Sequence, residues 1–325
     1  MDHFAKYYPS LKNYPEKYQP LFFNPGAVVT DHMAYLCPLC LKNGMILFED
    51  LFADTRSKFS LDHFPPESVG GFLTVVVCKK CNNDAGGQYE HALKELIQTM
   101  SLNNRTPGAK VKGKMEIEGL TGRYASSIEV RDDGEFVISF KPNLKAHVPH
   151  LDDWLDKSAD ENKWKADLTI PQADEKKISK SLLKAAYLHC FERWGYEFSY
   201  SYTGEMIRNV LLGIDEYPIL NPSFWLGNIP NAGRLPLGVC YLRQPTALRC
   251  FIVNMEVKDQ TTNYRNLASV LIPGPAEKDW DKLLLIKDQL ESNSSHTLSM
   301  AHVTDNMLFY GITDGYHKSY AELNS

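Results

Sequence analysis

Two pairs of cysteines constrain the fold of this chain more than any other sequence feature. Cys37 and Cys40 form one Cys-x-x-Cys pair, and after 37 intervening residues Cys78 and Cys81 form the second. Each pair places two sulfur atoms on one tight turn, and two such turns can complete a tetrahedral zinc site. We therefore expect a structural zinc site with four cysteine ligands. The alternative is a set of free or redox-active thiols.

Composition indicates a folded protein without a membrane segment. The chain has 325 residues, 43% of them apolar and 23% charged, as in ordinary globular proteins. No apolar run approaches the roughly 18 residues that span a bilayer, and the N-terminus lacks the apolar core of a signal peptide. We expect a cytoplasmic protein. The net charge of −5 restricts any nucleic-acid contact to a local surface.

Side chains that could bind a second metal ion or act as a base lie between the cysteine pairs and directly after them. Asp62 and His63 are adjacent, and Asn82 follows the second pair. An imidazole can accept a proton near neutral pH, and carboxylate and amide oxygens suit Mg²⁺ or Mn²⁺. The alternatives are a solvated loop for Asp62-His63 and a turn residue for Asn82.

The segment LDHFPPESVGGFLTVVVCKKCNNDAGGQYEHAL resembles the HNH endonucleases of the ββα-metal fold, in the subgroup with two Cys-x-x-Cys pairs. The resemblance covers about residues 35–100 and implies hydrolysis of phosphodiester bonds in DNA. It implies that His63 is the general base, while Asp62 and Asn82 hold one catalytic Mg²⁺ or Mn²⁺. His91 is the weakest candidate ligand, and Glu90 is expected to support the site or pack the helix. Antiviral defence in bacteria is a role that the resemblance suggests.

This sequence departs from the family pattern in its second strand. Many HNH enzymes carry a middle asparagine there, which braces the histidine loop, but FLTVVV contains none. We expect Thr74 or the backbone to take part of that role. The departure leaves a second hypothesis open, in which a zinc-stabilised module binds nucleic acid or a protein without cutting.

Hydrophobic periodicity predicts an α+β fold in three parts: an irregular arm over residues 1–34, a region over 35–100 that the resemblance identifies as an HNH module, and an α+β region over 101–325. Within the module, FSLDHF and FLTVVVC predict a hairpin that is followed by a helix. The last part is predicted to hold a β-meander, two helices and further strands, as follows: a meander over 115–142, helices over 174–195 and 203–213, and short strands beyond residue 218.

Five lysines are predicted to contact nucleic acid, with DNA as the first substrate and RNA as the alternative: Lys79, Lys80, Lys110, Lys112 and Lys114. The alternative for each is an ordinary solubilising lysine. On the helix over 174–195, Lys184 and the neighbouring lysines are expected to form a solvated face. One HNH site typically cuts one strand, so double-strand cleavage would need a second subunit. Residues 101–325 are the predicted surface for a second copy or a partner protein.

Overall fold

A computed structural model describes residues 34–41, 45–47, 58–120, 122–141, 153–154, 165–170, 172–214, 226–227, 237–244, 250–281 and 299–303. These residues form a mixed α+β structure with two larger sheets and two small antiparallel pairs. The predicted α+β class is confirmed. The predicted arm over residues 1–34 lies outside the described residues, apart from residue 34.

The first described elements are two antiparallel strand pairs. Strand β1 (Ala34–Leu36) pairs with β2 (Met45–Leu47), and β3 (Phe59–Phe64) pairs with β4 (Leu73–Cys78). The predicted hairpin is confirmed. The first cysteine pair directly follows β1, and Cys78 is the last residue of β4, so both pairs lie at strand ends.

The loop between β3 and β4 needs both of its glycines. Gly70 has a φ of 88°, which lies in the left-handed region that L side chains rarely adopt. A Cβ atom at Gly71 would lie 1.6 Å from the carbonyl oxygen of Pro65. The Gly-Gly of the sequence motif therefore allows the backbone to return tightly from β3 to β4.

A helical segment begins directly after the last residue of β4. It consists of α1 (Lys79–Ala85), a π-helical turn (Gly86–Glu90) and α2 (His91–Asn103). The predicted helix is confirmed, but it begins earlier than expected and contains the π turn. Leu93 and Ile97 of α2 are buried in the main core, which fixes the orientation of this helix.

The predicted meander is present as three consecutive strands, and a fourth strand pairs with the first of them, so the sheet has four strands. They are β5 (Lys110–Ile117), β6 (Tyr124–Val130), β7 (Phe136–Lys141) and β8 (Ala166–Thr169), all antiparallel in the order β7-β6-β5-β8. The meander starts at residue 110 because alternating burial begins there: Val111 and Met115 face inward.

Three helices come next, and the first is the longest described: α3 (Glu175–Trp194), α4 (Tyr196–Ser199) and α5 (Tyr202–Leu212). The Asp174 side chain caps α3 by accepting a hydrogen bond from the Lys177 amide, and Gly195 follows the helix end as predicted. Every residue from 181 to 191 is buried. The expectation of a solvated lysine face is therefore wrong at Lys184, which is fully buried.

The last sheet has five strands in the order β13-β10-β11-β12-β9. They are β9 (Leu226–Gly227), β10 (Gly238–Gln244), β11 (Cys250–Lys258), β12 (Arg265–Pro273) and β13 (Ser299–His302). The predicted strands beyond residue 218 are confirmed in this sheet.

The main hydrophobic core is shared between early and late parts of the sequence. It contains Val75 and Val77 of β4, Leu93 of α2, Leu182 of α3 and Val253 of β11. The three-part division of the chain stays a prediction. Among the described helices, none is both long and apolar enough to cross a bilayer.

We predict that His189 makes stability depend on pH. Its Nε2 is buried without a hydrogen-bond partner, and its ring packs edge-on against Phe64 with centroids 4.8 Å apart. Burial lowers the pKa of His189 to about 4. The imidazole of the unfolded chain has a pKa of about 6.5, so between the two pKa values the unfolded state binds more protons than the folded state. The free energy of unfolding therefore falls as the pH drops from about 6.5 to about 4.

Urea unfolding across this pH range measures the effect. Between the two ends of the range, the free energy of unfolding of His189→Leu should fall by about 2–3 kcal/mol less than that of the wild type. The difference between the two proteins isolates the imidazole, since both keep the same cysteines. Parallel stability curves would contradict the prediction.

Candidate metal centre and Asp-His site

The four cysteines of the two pairs form one compact cluster. Their sulfur atoms all lie within 4.8 Å of one another, and the Sγ atoms of Cys40 and Cys78 are 3.9 Å apart. Four sulfurs at about 2.3 Å from a tetrahedral zinc ion would be separated by about 3.8 Å. The cluster could therefore hold a metal ion such as zinc, and no sulfur would need to move far. Within the described residues, the four cysteines are the group of three or more potential ligand side chains that lie close enough together to bind one metal ion.

Backbone and buried tyrosines hold the two cysteine turns in place. The Cys81 amide donates a hydrogen bond to the Cys78 sulfur at 3.4 Å. The Tyr187 hydroxyl of α3 donates to the carbonyl oxygen of Pro38 at 2.7 Å. The Tyr196 hydroxyl donates to the Leu36 carbonyl oxygen and accepts from the Leu36 amide. The turn after β1 is thus fixed by hydrogen bonds as well as by its sulfurs.

The cluster has the electrostatics expected of closely packed thiols. Hydrogen bonding to Cys40 and burial raise the pKa of Cys37. A hydrogen bond from Cys37 stabilises the thiolate of Cys78 and lowers its pKa to about 6. Four thiols this close cannot all ionise without a compensating cation, which is the charge that a divalent metal supplies.

Asp62 and His63 are neighbours on β3, and they face opposite sides of the hairpin, as successive residues on a strand do. Asp62 is paired with Val75 and is buried, facing α3. His63 is directly opposite Thr74 and is half-buried. The register therefore places Thr74 beside His63, where we expected a substitute for the missing asparagine of β4.

Asn82 connects α1 to β3. Its Nδ2 donates hydrogen bonds to Ser60 Oγ at 3.0 Å and to the Leu61 carbonyl oxygen at 3.2 Å. The residue lies within α1 rather than in a turn. Because the amide N–H groups are engaged by the strand just before Asp62, the side-chain oxygen is the atom that would bind a cation.

A buried lysine occupies the space between two acidic side chains. Lys184 Nζ lies 2.5 Å from Asp62 Oδ2 and 2.5 Å from Glu90 Oε1. The side chains of Lys184 and Asp62 are 2% and 3% exposed, and that of Glu90 is 14% exposed. The three residues come from α3, β3 and the π turn. We refer to them as the acid–lysine cluster.

Burial and ion pairing act in opposite directions on these carboxyl groups. Burial raises the pKa of Asp62, and the Lys184 ammonium offsets part of that rise. Burial also raises the pKa of Glu90, again opposed by Lys184. Lys184 therefore favours the charged form of both carboxyl groups, but burial outweighs it and the pKa of each stays raised.

The weaker sequence candidates lie outside the acid–lysine cluster. His91 is exposed at the start of α2, one residue after Glu90. Lys79 and Lys80 are exposed on α1, and Lys80 pairs with Asp84 at 2.5 Å. The lysines of β5 share one exposed face, as predicted from their spacing: Lys110, Lys112 and Lys114. Lys110 pairs with Glu129 at 2.7 Å. Their contact with nucleic acid stays a prediction.

Sequence reasoning missed Lys184 and assigned Glu90 only a supporting role. A usable signal was present, because Lys184 is the only lysine, arginine or acidic residue in the run SLLKAAYLHCF over 181–191. A single charged side chain inside an apolar helical run indicates a buried charge that needs a partner. The identity of that partner depends on tertiary packing.

Comparisons with known proteins add no relative to this picture: no family model, no curated protein and no solved structure matches the chain.

We predict that the cysteine cluster binds one zinc ion per chain. Cys81→Ser should lose most of the zinc and lower the free energy of unfolding by several kcal/mol, because metal binding contributes directly to folding. Cys190→Ala is the matched control, since Cys190 is a buried cysteine of α3 outside the cluster. Metal content is measured by elemental analysis, and stability by urea unfolding.

Thiol labelling provides the second measurement. The four cluster cysteines should react with a thiol reagent only after a chelator has removed the metal. A wild-type protein without zinc whose cluster thiols react at once would contradict the prediction and favour the redox alternative.

Proposed function

We propose that the protein is a metal-dependent endonuclease of the HNH type that hydrolyses phosphodiester bonds in DNA. The observation that carries the proposal is the adjacency of Asp62 and His63 on β3, with Asn82 of the following helix hydrogen-bonded to the same strand. The cysteine cluster lies at the other end of the β3–β4 hairpin, at Cys78. In this proposal it holds zinc and supports the site without taking part in the chemistry.

His63 is the proposed general base. A neutral imidazole can remove a proton from water as the water attacks phosphorus, and His63 is the member of the Asp-His pair that is not buried. Thr74 is the cross-strand neighbour of His63. The exposed lysines Lys79 and Lys80 lie at the beginning of α1, where they can contact the phosphate backbone.

Asp62 and Asn82 are the proposed oxygen ligands of a catalytic Mg²⁺ or Mn²⁺. The donor types suit a hard cation, and when bound it would stabilise the negative charge that develops on the phosphate. The fit is incomplete in the described arrangement, because the Asp62 carboxylate already pairs with Lys184.

That ion pair favours a second function. A zinc-stabilised module that binds nucleic acid or a partner protein without cutting would need no catalytic metal. In such a module Lys184 would be a permanent counter-ion of Asp62 and Glu90. The two functions differ in a single requirement, which is whether His63 is needed for turnover.

We predict that the purified protein nicks supercoiled plasmid with added Mg²⁺ or Mn²⁺ and not in the presence of EDTA. His63→Ala should reduce the rate by about 100-fold or more, because loss of a general base typically costs 10²–10⁴-fold. It should retain its zinc, since His63 is not part of the cysteine cluster.

The matched control is His302→Gln, an exposed histidine of β13 whose ring nitrogens lie 2.8 and 3.0 Å from backbone carbonyl oxygens. It should nick at the wild-type rate. If neither wild type nor control cuts, and both bind DNA as tightly as His63→Ala, the enzyme assignment fails and the binding module takes its place.

A further inference from the structure

A cavity of about 420 Å³ lies where the loop between β3 and β4, helix α3 and the last sheet meet. Its volume is within the range of about 300–1,000 Å³ that is usual for small-molecule sites. Phe64 and Leu73 line it and form the cross-strand pair next to His63 and Thr74, so the cavity lies at the same end of the hairpin as His63. We call it the apolar cavity, because its walls also include apolar side chains from the loop and the last sheet: Phe72, Val239 and Met255.

The apolar cavity has balanced charges and one unsatisfied polar atom. Its two acidic and two basic lining residues cancel in formal charge: Glu192, Glu256, Arg193 and Lys258. His189 forms part of the wall, and its buried Nε2 has no hydrogen-bond partner among the described residues. Burial lowers the pKa of His189 to about 4, so the ring is uncharged at neutral pH, and Nε2 either donates or accepts one hydrogen bond. This lining suits an uncharged group whose edge carries both donors and acceptors.

Phe72 provides an exposed aromatic ring at the edge of the apolar cavity. It is 79% exposed, although phenylalanine is among the residues that are most often buried. An exposed ring beside a cavity can stack on a planar ligand, as aromatic side chains do on nucleobases. His302 also borders the cavity, but its ring nitrogens lie 2.8 and 3.0 Å from backbone carbonyl oxygens, so they are already engaged.

A second cavity, of about 180 Å³, shares Lys258 with the first and has the opposite character. The side-chain carbons of Lys258 pack on Gly70, where a Cβ atom would collide with them. Lys94 of α2 also lines this polar cavity, and neither lysine forms an ion pair with a described residue. Together with Asp259, the charged lining residues sum to +1. The polar cavity therefore favours a ligand group with negative charge.

Asp259 gives the polar cavity an unsatisfied acceptor. The residue is 3% exposed, and its Oδ1 accepts hydrogen bonds from the amide and the hydroxyl of Thr261. Its Oδ2 is buried without a hydrogen-bond partner among the described residues. A hydroxyl group is a donor that a carboxylate oxygen accepts strongly. The two cavities thus offer places for an uncharged planar ring, an anion and a hydroxyl within one region around Lys258.

We propose that the two cavities together bind one nucleotide. The base lies in the apolar cavity, stacked on Phe72 with its edge toward His189. The phosphate pairs with Lys258 and Lys94, and a sugar hydroxyl donates to Asp259. The nucleotide is free or belongs to a single strand, because a duplex keeps its bases paired and stacked. This site goes beyond the proposed function, since neither His63 nor a catalytic metal takes part in it.

Binding to the purified full chain tests the proposal, with two probes and no added Mg²⁺. The probes are each deoxynucleoside 5′-monophosphate, followed by calorimetry, and a short single-stranded DNA, followed by fluorescence anisotropy. At least one probe should bind. Phe72→Ala should weaken its binding by about tenfold, because the stacking surface is lost. Lys258→Met keeps the carbons that pack on Gly70, and it should weaken binding by about tenfold and reduce its salt dependence.

Two variants of exposed residues outside both cavities are the matched controls: Phe136→Ala and Lys278→Met. Both should bind the probe as the wild type does. Because Phe72 is itself exposed, its substitution should leave the fold and the zinc content unchanged. Weaker binding in Phe72→Ala at unchanged stability therefore reports on the site and not on unfolding.

The same strand with abasic sites distinguishes the two sources of the nucleotide, since it keeps the phosphates and lacks bases. Strand binding that requires bases and Phe72, without binding of any monophosphate, assigns the site to a nucleic-acid strand. Binding of a monophosphate that requires Phe72, and that the strand does not displace, assigns it to a free nucleotide. The proposal is overturned if neither probe binds, if the abasic strand binds as tightly as the intact one and no monophosphate binds, or if Phe72→Ala and Lys258→Met bind as the wild type does.

Discussion

The packing of four thiol sulfurs within 4.8 Å of one another is the constraint on which the candidate site depends. Buried thiolates repel, so a cluster this tight is stable only around a cation or with most of its protons retained. Closing it fixes the turn after β1, the end of β4 and the beginning of α1 with respect to each other. Asp62 and His63 lie on the strand paired with β4, and Asn82 lies on α1. The sulfurs therefore fix the positions of the strand and the helix that carry these polar residues.

Helix α3 is the second determinant of the site, although it begins about 70 residues after α2 ends. Through Lys184 it pairs with Asp62, through Tyr187 it binds the first cysteine turn, and through His189 it packs against Phe64. These contacts occur along one helix that is buried over residues 181–191. The early segment that carries the motif consequently shares its core with a later part of the chain. The candidate site is a property of both.

Local features of the fold could be predicted from the sequence because their signals are local. Strand-like apolar and β-branched runs indicated β3, β4 and the meander, and Asp174 and Gly195 marked the ends of α3. The cysteine spacing indicated the cluster before its geometry was known. Turn and capping chemistry acts over a few residues, so a linear pattern contains it.

The acid–lysine cluster could not be predicted in this way. Lys184 and three other lysines have the spacing of a solvated helical face, and the partners of Lys184 lie 94 and 122 positions earlier. Periodicity describes which residues share a face of a helix, but not what packs against that face. The hydrogen bonds from Tyr187 to Pro38 and from Tyr196 to Leu36 could not be predicted for the same reason.

The π turn between α1 and α2 has a consequence for how the sequence can vary. Helix α1 is held by the cysteine cluster and by Asn82, while α2 is held by its apolar face and follows directly after Glu90. The wider turn at Gly86–Glu90 accommodates one more residue than an α-helix would, so α1 and α2 keep their relative rotational phase although an extra residue lies between them. Deleting one residue within this turn can be absorbed by a return to α-helical geometry, whereas a deletion within α2 would rotate the residues beyond it by about 100°. Single deletions should therefore be more acceptable within Gly86–Glu90 than within α2.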